Sequence, residues 1–252
     1  MLLLTRCCLA GTIDPNINDS KYIEYGSKHG CVQRLKYDSK IASCVIIQPN
    51  IALTAAHVIV NAKNPTVLLD NNKEIKIKNV IFPEKFLQNK DKIGLSDFDI
   101  AICHLDGDVD LDYFPKLFED YDELDSVCGI AGFGITGKYN GSQRVYDGKR
   151  RAGSNIIDKV DSFTLECSVD GGRKTSLEFL ISPGDNGGGL VIDKKLAGIN
   201  SLIYTYSKDK NPNSDLNDRS VHVRISKHVV WIKSCIKIFK QIDELEAANV
   251  RY

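Results

Sequence analysis

Three short segments carry residue types that could do chemistry together. Leu53-Thr54-Ala55-Ala56-His57 ends an apolar run on an imidazole. Asp97-Phe98-Asp99-Ile100-Ala101 sets two carboxylates before another apolar run, and Gly184-Asp185-Asn186-Gly187-Gly188-Gly189-Leu190 is rich in glycine. A histidine is the commonest general base near neutral pH, and a carboxylate beside it fixes its tautomer. Glycines let the backbone turn tightly and aim N–H groups at a developing negative oxygen. Base, orienting acid and oxyanion donors are requirements of acyl transfer at a side-chain nucleophile. The remaining requirement is a nucleophile. An amide such as that of Asn186 has no ionisable proton for a base to remove.

Other motifs are weaker. Gly132-Phe133-Gly134-Ile135-Thr136-Gly137 fits GxGxxG, but loop-like Lys138-Tyr139-Asn140-Gly141 follows where a dinucleotide site needs a helix. No cofactor is expected. Asp106, Asp108 and Asp110 begin like a calcium loop, but Leu111 and Leu117 stand where it needs Gly and Glu. A solvated acidic linker is expected there. Lys149-Arg150-Arg151 reads as a solvated loop cluster before it reads as a processing site or a patch for an acidic partner. The eight cysteines include no CxxC pair and no zinc spacing, so no metal is expected. Cys44, Cys103 and Cys128 lie in apolar runs and read as buried thiols.

The elements that must position these residues are mostly strands. Short runs of β-branched and aromatic residues recur between turn signals, among them ASCVIIQ, IALTAAHVI, EIKIKNVIF, SVCGIAGFG and SVHVRIS. Helical spacing is weak until Val229, Val230, Ile232, Ile236 and Phe239, for which Ser226 is a candidate N-cap. An acidic stretch from Asp106 to Asp125 divides two β-rich halves. Residues 136–155 and 206–219 read as polar surface loops. The chain has 252 residues, enough for one large or two small packed domains. Lys plus Arg and Asp plus Glu both count 33, which leaves no electrostatic footprint for nucleic acid or an anionic membrane. No apolar run approaches the roughly 20 residues of a membrane helix. The opening MLLLTRCCLA reads either as a signal-segment remnant cut before Gly11 or as a frayed arm.

TAAH, DIA and GDxGG, in that order, with GFG at 132–134 and the ending VHVRISKHVVWI, resemble the trypsin/chymotrypsin family of serine endopeptidases over roughly residues 30–240. The resemblance implies an all-β fold of two antiparallel six-stranded Greek-key β-barrels with a C-terminal α-helix. Barrel 1 is expected over about 21–115, barrel 2 over about 120–226 and the helix over about 227–245, after an N-terminal arm at 1–20. It implies His57 as general base and Asp99 as its orienting carboxylate, with Asp97 a weaker alternative. It puts Asn186 at the nucleophile position, the Gly184 and Asn186 N–H groups in the oxyanion hole, and Ser201 beside the buried acid. Leu180, at the base of the primary pocket, argues against Arg or Lys specificity. Ile203 and Ser220 stand on its walls, with Ser201 also counted in the pocket, and a small or apolar pocket is expected.

Two departures from the family pattern bear on function. No Ile-Val-Gly-Gly-like segment follows a basic cleavage site, so Asp185 has no evident partner for the activation step the family uses. Ala42 and Val58 occupy the positions of a disulfide in many animal members. Because the resemblance puts Asn186 where the nucleophile stands, and an amide closes the covalent route, the chain reads as an endopeptidase homologue inactive as written. The alternatives are an active family member carrying an inactivating Ser-to-Asn substitution, and a non-catalytic peptide- or protein-binding pseudoprotease. A monomer acting on or binding peptide or protein is expected, with no nucleic-acid or membrane partner. The family favours secretion, while the missing disulfide plan and the weak signal favour the opposite.

Overall fold

The computed structural model describes residues 11–89, 96–170, 172, 174–205 and 213–249. The candidate signal remnant at 1–10 and residues 206–212 of the second polar loop lie outside the described residues.

Alternating residues in the first half serve two cores at once. In Lys40–Gln48, Ala42, Cys44 and Ile46 point to one cluster while Val45 and Ile47 point to another. In Ala101–Leu105 the same alternation puts Ala101 and Cys103 on one side and Ile102 on the other. Successive strand side chains face opposite ways, so a strand buried on both faces reads as a continuous apolar run. One set fills a closed barrel, ordered Val32–Tyr37, Lys40–Gln48, Ile51–Thr54, Ala101–Leu105, Glu74–Ile81, Thr66–Leu68. The other set packs against the second half and against Val229, Ile232, Cys235 and Phe239 of the C-terminal helix.

The second half is an open sheet, a half-barrel. Its main path runs Arg151–Ile156, Val127–Gly132, Gly189–Ile192, Lys195–Thr205, Asp218–Arg224, Thr164–Ser168, Lys159–Val160. The closed six-stranded barrel and the helix match the fold expected from the family resemblance, while the second six-stranded barrel of that expectation is here a half-barrel, open between its end strands.

The helix runs Val229–Asn249, with a 3-10 turn at Ile225–Lys227 before it. Ser226 does not cap it. Its Oγ donates instead to the Glu123 carboxylate at 2.7 Å, which also takes two hydrogen bonds from Arg224 at 2.8 and 2.6 Å. The acidic linker thus sends one carboxylate into the core, while Asp106, Asp108 and Asp110 stay exposed.

A helix absent from the sequence reading spans Asp19–Ser27, started by Asn18, whose side chain accepts the Ser20 N–H. Residues 11–20 are not a frayed arm either. Thr12–Ile13 is a short strand laid between Phe179–Leu180 and Thr136–Lys138. The basic cluster also differs from expectation. Only Lys149 is exposed. Arg151 is buried between Asp19 (2.6 and 2.7 Å) and Asp147 (2.9 Å twice), and Arg150 donates to the Val32 carbonyl at 2.8 Å. Two paired carboxylates meet the planar guanidinium with matched geometry, which offsets its desolvation. Residues 136–155 are therefore not one loop, since they hold the strands Thr136–Lys138, Arg144–Val145 and most of Arg151–Ile156.

Candidate active site

The barrel ladder brings His57 and Asp99 together. Thr54 pairs with Ala101, so the chain leaving one strand meets the chain entering its neighbour. Past Thr54, Ala55 is extended and Ala56–Ile59 forms a single helical turn carrying His57. Asp99 Oδ1 accepts the His57 backbone N–H at 2.8 Å, and Oδ2 lies 2.7 Å from Nδ1. A carboxylate accepts only, so Nδ1 holds the imidazole proton and Nε2 presents its lone pair. Asp99 is buried, while the His57 side chain is 48% exposed, so the imidazole faces solvent and the carboxylate beside it does not. Asp97 is not in contact with this pair; its backbone carbonyl accepts from His228 Nε2 at 3.0 Å.

Ser201 reaches the same acid from the second half. The ladder between Lys195–Thr205 and Asp218–Arg224 slips between Asn200 and Leu202, leaving Ser201 as the extra residue of a bulge. A bulge redirects a side chain without ending the strand. The Ser201 Oγ donates to Asp99 Oδ2 at 2.5 Å.

The glycine-rich loop is sewn to the first barrel by Ser43. The Ser43 N–H donates to the Asn186 carbonyl at 3.0 Å, and its Oγ donates to the Gly184 carbonyl at 2.8 Å while accepting the Phe133 N–H at 2.9 Å. Gly187 has φ +84°, and a Cβ there would stand 2.1 Å from Thr54 Oγ1. Only glycine fits both the left-handed backbone and that approach. Gly184 also has positive φ, +96°. The Gly184 and Asn186 N–H groups have no hydrogen-bond partner among the described residues.

The Asn186 side chain faces inward. Its Nδ2 donates to the Ser201 carbonyl at 2.5 Å and lies 3.3 Å from His57 Nε2. Both neighbours are acceptors, which fixes the amide with its nitrogen toward them. The two N–H bonds of one amide therefore point at the Nε2 lone pair of the imidazole and at a backbone acceptor beside it.

Asp185 has partners that the sequence did not disclose. Its carboxyl accepts N–H groups from Gly134 (2.8 Å), Ser182 (3.0 Å) and Gly11 (3.0 Å). Burial nonetheless pushes its pKa up to about 7, outweighing the hydrogen bonds that pull it down. Behind it, Asn200 Nδ2 donates to the carbonyls of Ala131 (3.0 Å) and Asp185 (3.1 Å), and Asn200 Oδ1 lies 2.9 Å from His222 Nδ1.

Leu180 and Ser220 have no accessible surface. Leu180 packs with Tyr139, Val169 and Leu216, and the Ser220 Oγ accepts the Ile181 N–H at 2.9 Å. Neither lines an open cavity, whereas Ile203 is half-buried at the edge of the second-half core. Ser43, Gly11 and Asn200 were missed as site residues. Ser43 sits within an apolar run that reads as core, and only its hydroxyl in such a run could have drawn notice.

The family model for trypsin matches residues 21–232. The chain belongs to the trypsin family. The solved structure of neuropsin, a serine protease expressed in the limbic system of mouse brain, superposes with a TM-score of 0.65 at 18% identity. The match covers 82% of this chain and 95% of neuropsin, and at that identity it speaks for the fold. No curated protein sequence matches. Trypsin-family membership implies peptide or protein substrates, and among the described residues no helix is long and apolar enough to cross a membrane.

Proposed function

We propose that this trypsin-family chain binds peptides in the cleft between its two halves and does not cleave them by the acyl-enzyme route. In this reading His57 is a general base held by Asp99 and Ser201, and the Gly184 and Asn186 N–H groups are the oxyanion donors. Asn186 occupies the nucleophile position. The observation that carries the reading is the Asn186 amide between His57 Nε2 and the Ser201 carbonyl. A serine hydroxyl there would give up its proton to the imidazole; the amide only caps it. Removing the nucleophile from a triad costs about 10⁶ in turnover, with roughly 10³–10⁴ over water surviving through oxyanion binding. Buried Leu180 also offers no carboxylate to an Arg or Lys side chain. Peptide would bind by adding a strand to an exposed edge.

A second reading is an active family frame silenced by a Ser-to-Asn substitution. The intact His57–Asp99–Ser201 contacts favour it. A fluorophosphonate probe, which labels only an activated serine, applied to the protein and to Asn186→Ser tests both. Labelling of the revertant alone supports a preorganised site silenced by Asn186. No labelling of either rejects that frame and leaves a binding module. Labelling of the unaltered protein overturns the claim that it lacks a nucleophile.

A further inference from the structure

Six cysteines lie among the described residues, all buried and unbonded. Two of them touch: the Cys128 and Cys167 sulfurs are 3.8 Å apart. Cys128 is on Val127–Gly132, paired with Asn155, and Cys167 is on Thr164–Ser168, paired with Ser220. These strands are second from the two opposite ends of the main path of the open sheet. The sulfur contact therefore crosses the half-barrel where no backbone ladder closes it. The other buried cysteines have different neighbours: Cys31 meets the Tyr113 hydroxyl at 3.5 Å, and the Cys44 thiol meets the Gln33 carbonyl at 3.7 Å.

We propose that Cys128 and Cys167 are a dithiol modification site that accepts a disulfide oxidant and becomes a covalent staple across the open half-barrel. The sulfurs must close from 3.8 Å to about 2.05 Å, a movement within reach of side-chain rotation. One thiolate attacks a sulfur of oxidised glutathione, forming a mixed disulfide and releasing one glutathione thiolate. The second cysteine sulfur attacks the protein side of that mixed disulfide and releases the other glutathione. Two electrons pass from the protein sulfurs to the oxidant, and the two thiol protons end on two molecules of reduced glutathione. Burial pushes the Cys167 thiol well up, and both sulfurs are shielded from solvent. The folded dithiol therefore reacts slowly, and the bond forms while the half-barrel is still open, during folding. The inference requires neither catalysis nor peptide binding by the cleft.

The test unfolds the full chain under reducing conditions and refolds it across a series of reduced-to-oxidised glutathione ratios. Free thiols are then alkylated, and intact mass, peptide map and thermal midpoint are read. In oxidising buffer the folded protein takes up two fewer alkyl groups, and the peptides holding Cys128 and Cys167 are linked. The midpoint rises by roughly 5–15 °C over the reduced protein. Cys128→Ala and Cys167→Ala lose the link and this oxidant dependence, whereas Cys235→Ala keeps both. Should an alanine variant fail to fold, the map of the unaltered protein decides alone. Folded protein with both thiols alkylated at every ratio overturns the proposal. So does a link mapped to another cysteine pair, or a 128–167 link found only in protein that has lost its native circular dichroism.

Discussion

The Asn186 amide nitrogen stands 3.3 Å from His57 Nε2, while Asp99 Oδ2 lies 2.7 Å from the other ring nitrogen. The same amide nitrogen donates to the Ser201 carbonyl at 2.5 Å, so it sits between the imidazole and a backbone acceptor.

If Asp99 orients the base as proposed, the revertant should depend on it steeply. Asp99→Asn placed in the Asn186→Ser background presents an amide to Nδ1 and favours the wrong tautomer. Turnover of an activated ester should fall by about 10⁴ relative to Asn186→Ser alone. A fall of less than tenfold would separate Asp99 from catalysis.

Ser201→Ala removes the hydroxyl that donates to the buried Asp99 carboxylate at 2.5 Å. A buried acceptor deprived of a donor costs about 1–3 kcal/mol. Urea unfolding should show that loss in the unaltered background, independent of any activity. An unchanged midpoint would mean that solvent or a shifted side chain replaces the hydroxyl.

Gly187→Ala should be more damaging than its size suggests. The left-handed backbone and the approach to Thr54 and Ser43 oppose the methyl group together. A loss of roughly 2–5 kcal/mol is expected by denaturant unfolding. Gly188→Ala is not a control here, because Ala131 O lies within 2.3 Å of its Cβ position; the partly buried Gly148, at φ +70°, would bring an added Cβ only to ordinary contact, 3.8 Å from the Tyr146 hydroxyl, so Gly148→Ala reports the backbone effect.

Asp185 sets a pH dependence whose sign is opposite to that of a paired acid. Its pKa is raised from 3.8 to about 7 in the folded chain, so the folded state keeps a proton that the unfolded state has released. Its contribution to stability is full below pH 4 and is lost as pH rises toward 7, a change on the order of 4 kcal/mol. Asp185→Asn should flatten that part of the profile, read by urea unfolding at stepped pH. A chain made to begin at Gly11 should behave differently. Its α-amine, titrating near 7.7–8.0 when unperturbed, would stand 3.0 Å from the carboxyl where the peptide N–H now sits. The loss between pH 4 and 7 should then disappear.

His57 and Asp99 stand beside apolar runs that fold into neighbouring strands, so their approach to each other could be anticipated, whereas Ser201 was indicated only by the family resemblance. The loop around Asn186 was legible because its glycines answer to backbone geometry. The Gly11–Asp185 contact was not legible, since it is a single peptide N–H that any residue type supplies. The Asp19–Ser27 helix escaped notice because it buries only Tyr22 and Gly26, too little to impose a periodic pattern. Arg151 was misread for a related reason. A charged trio in a polar stretch looks solvated until the acids that neutralise it, Asp19 and Asp147, are brought beside it by the fold.

The strand at Thr12–Ile13 has consequences for how the chain is made. Its partners at Phe179–Leu180 come late, and Gly11 meets Asp185 across a separation of 174 positions. At a synthesis rate of about 5–20 residues per second, the N-terminal strand waits on the order of ten to thirty seconds for its partner to be made. The first barrel, whose strands all lie between Val32 and Leu105, can close during that interval. The order of synthesis thus favours completing the half that carries His57 and Asp99 first. The half that carries Asn186 and Ser201 is sealed last, by a segment made before either half.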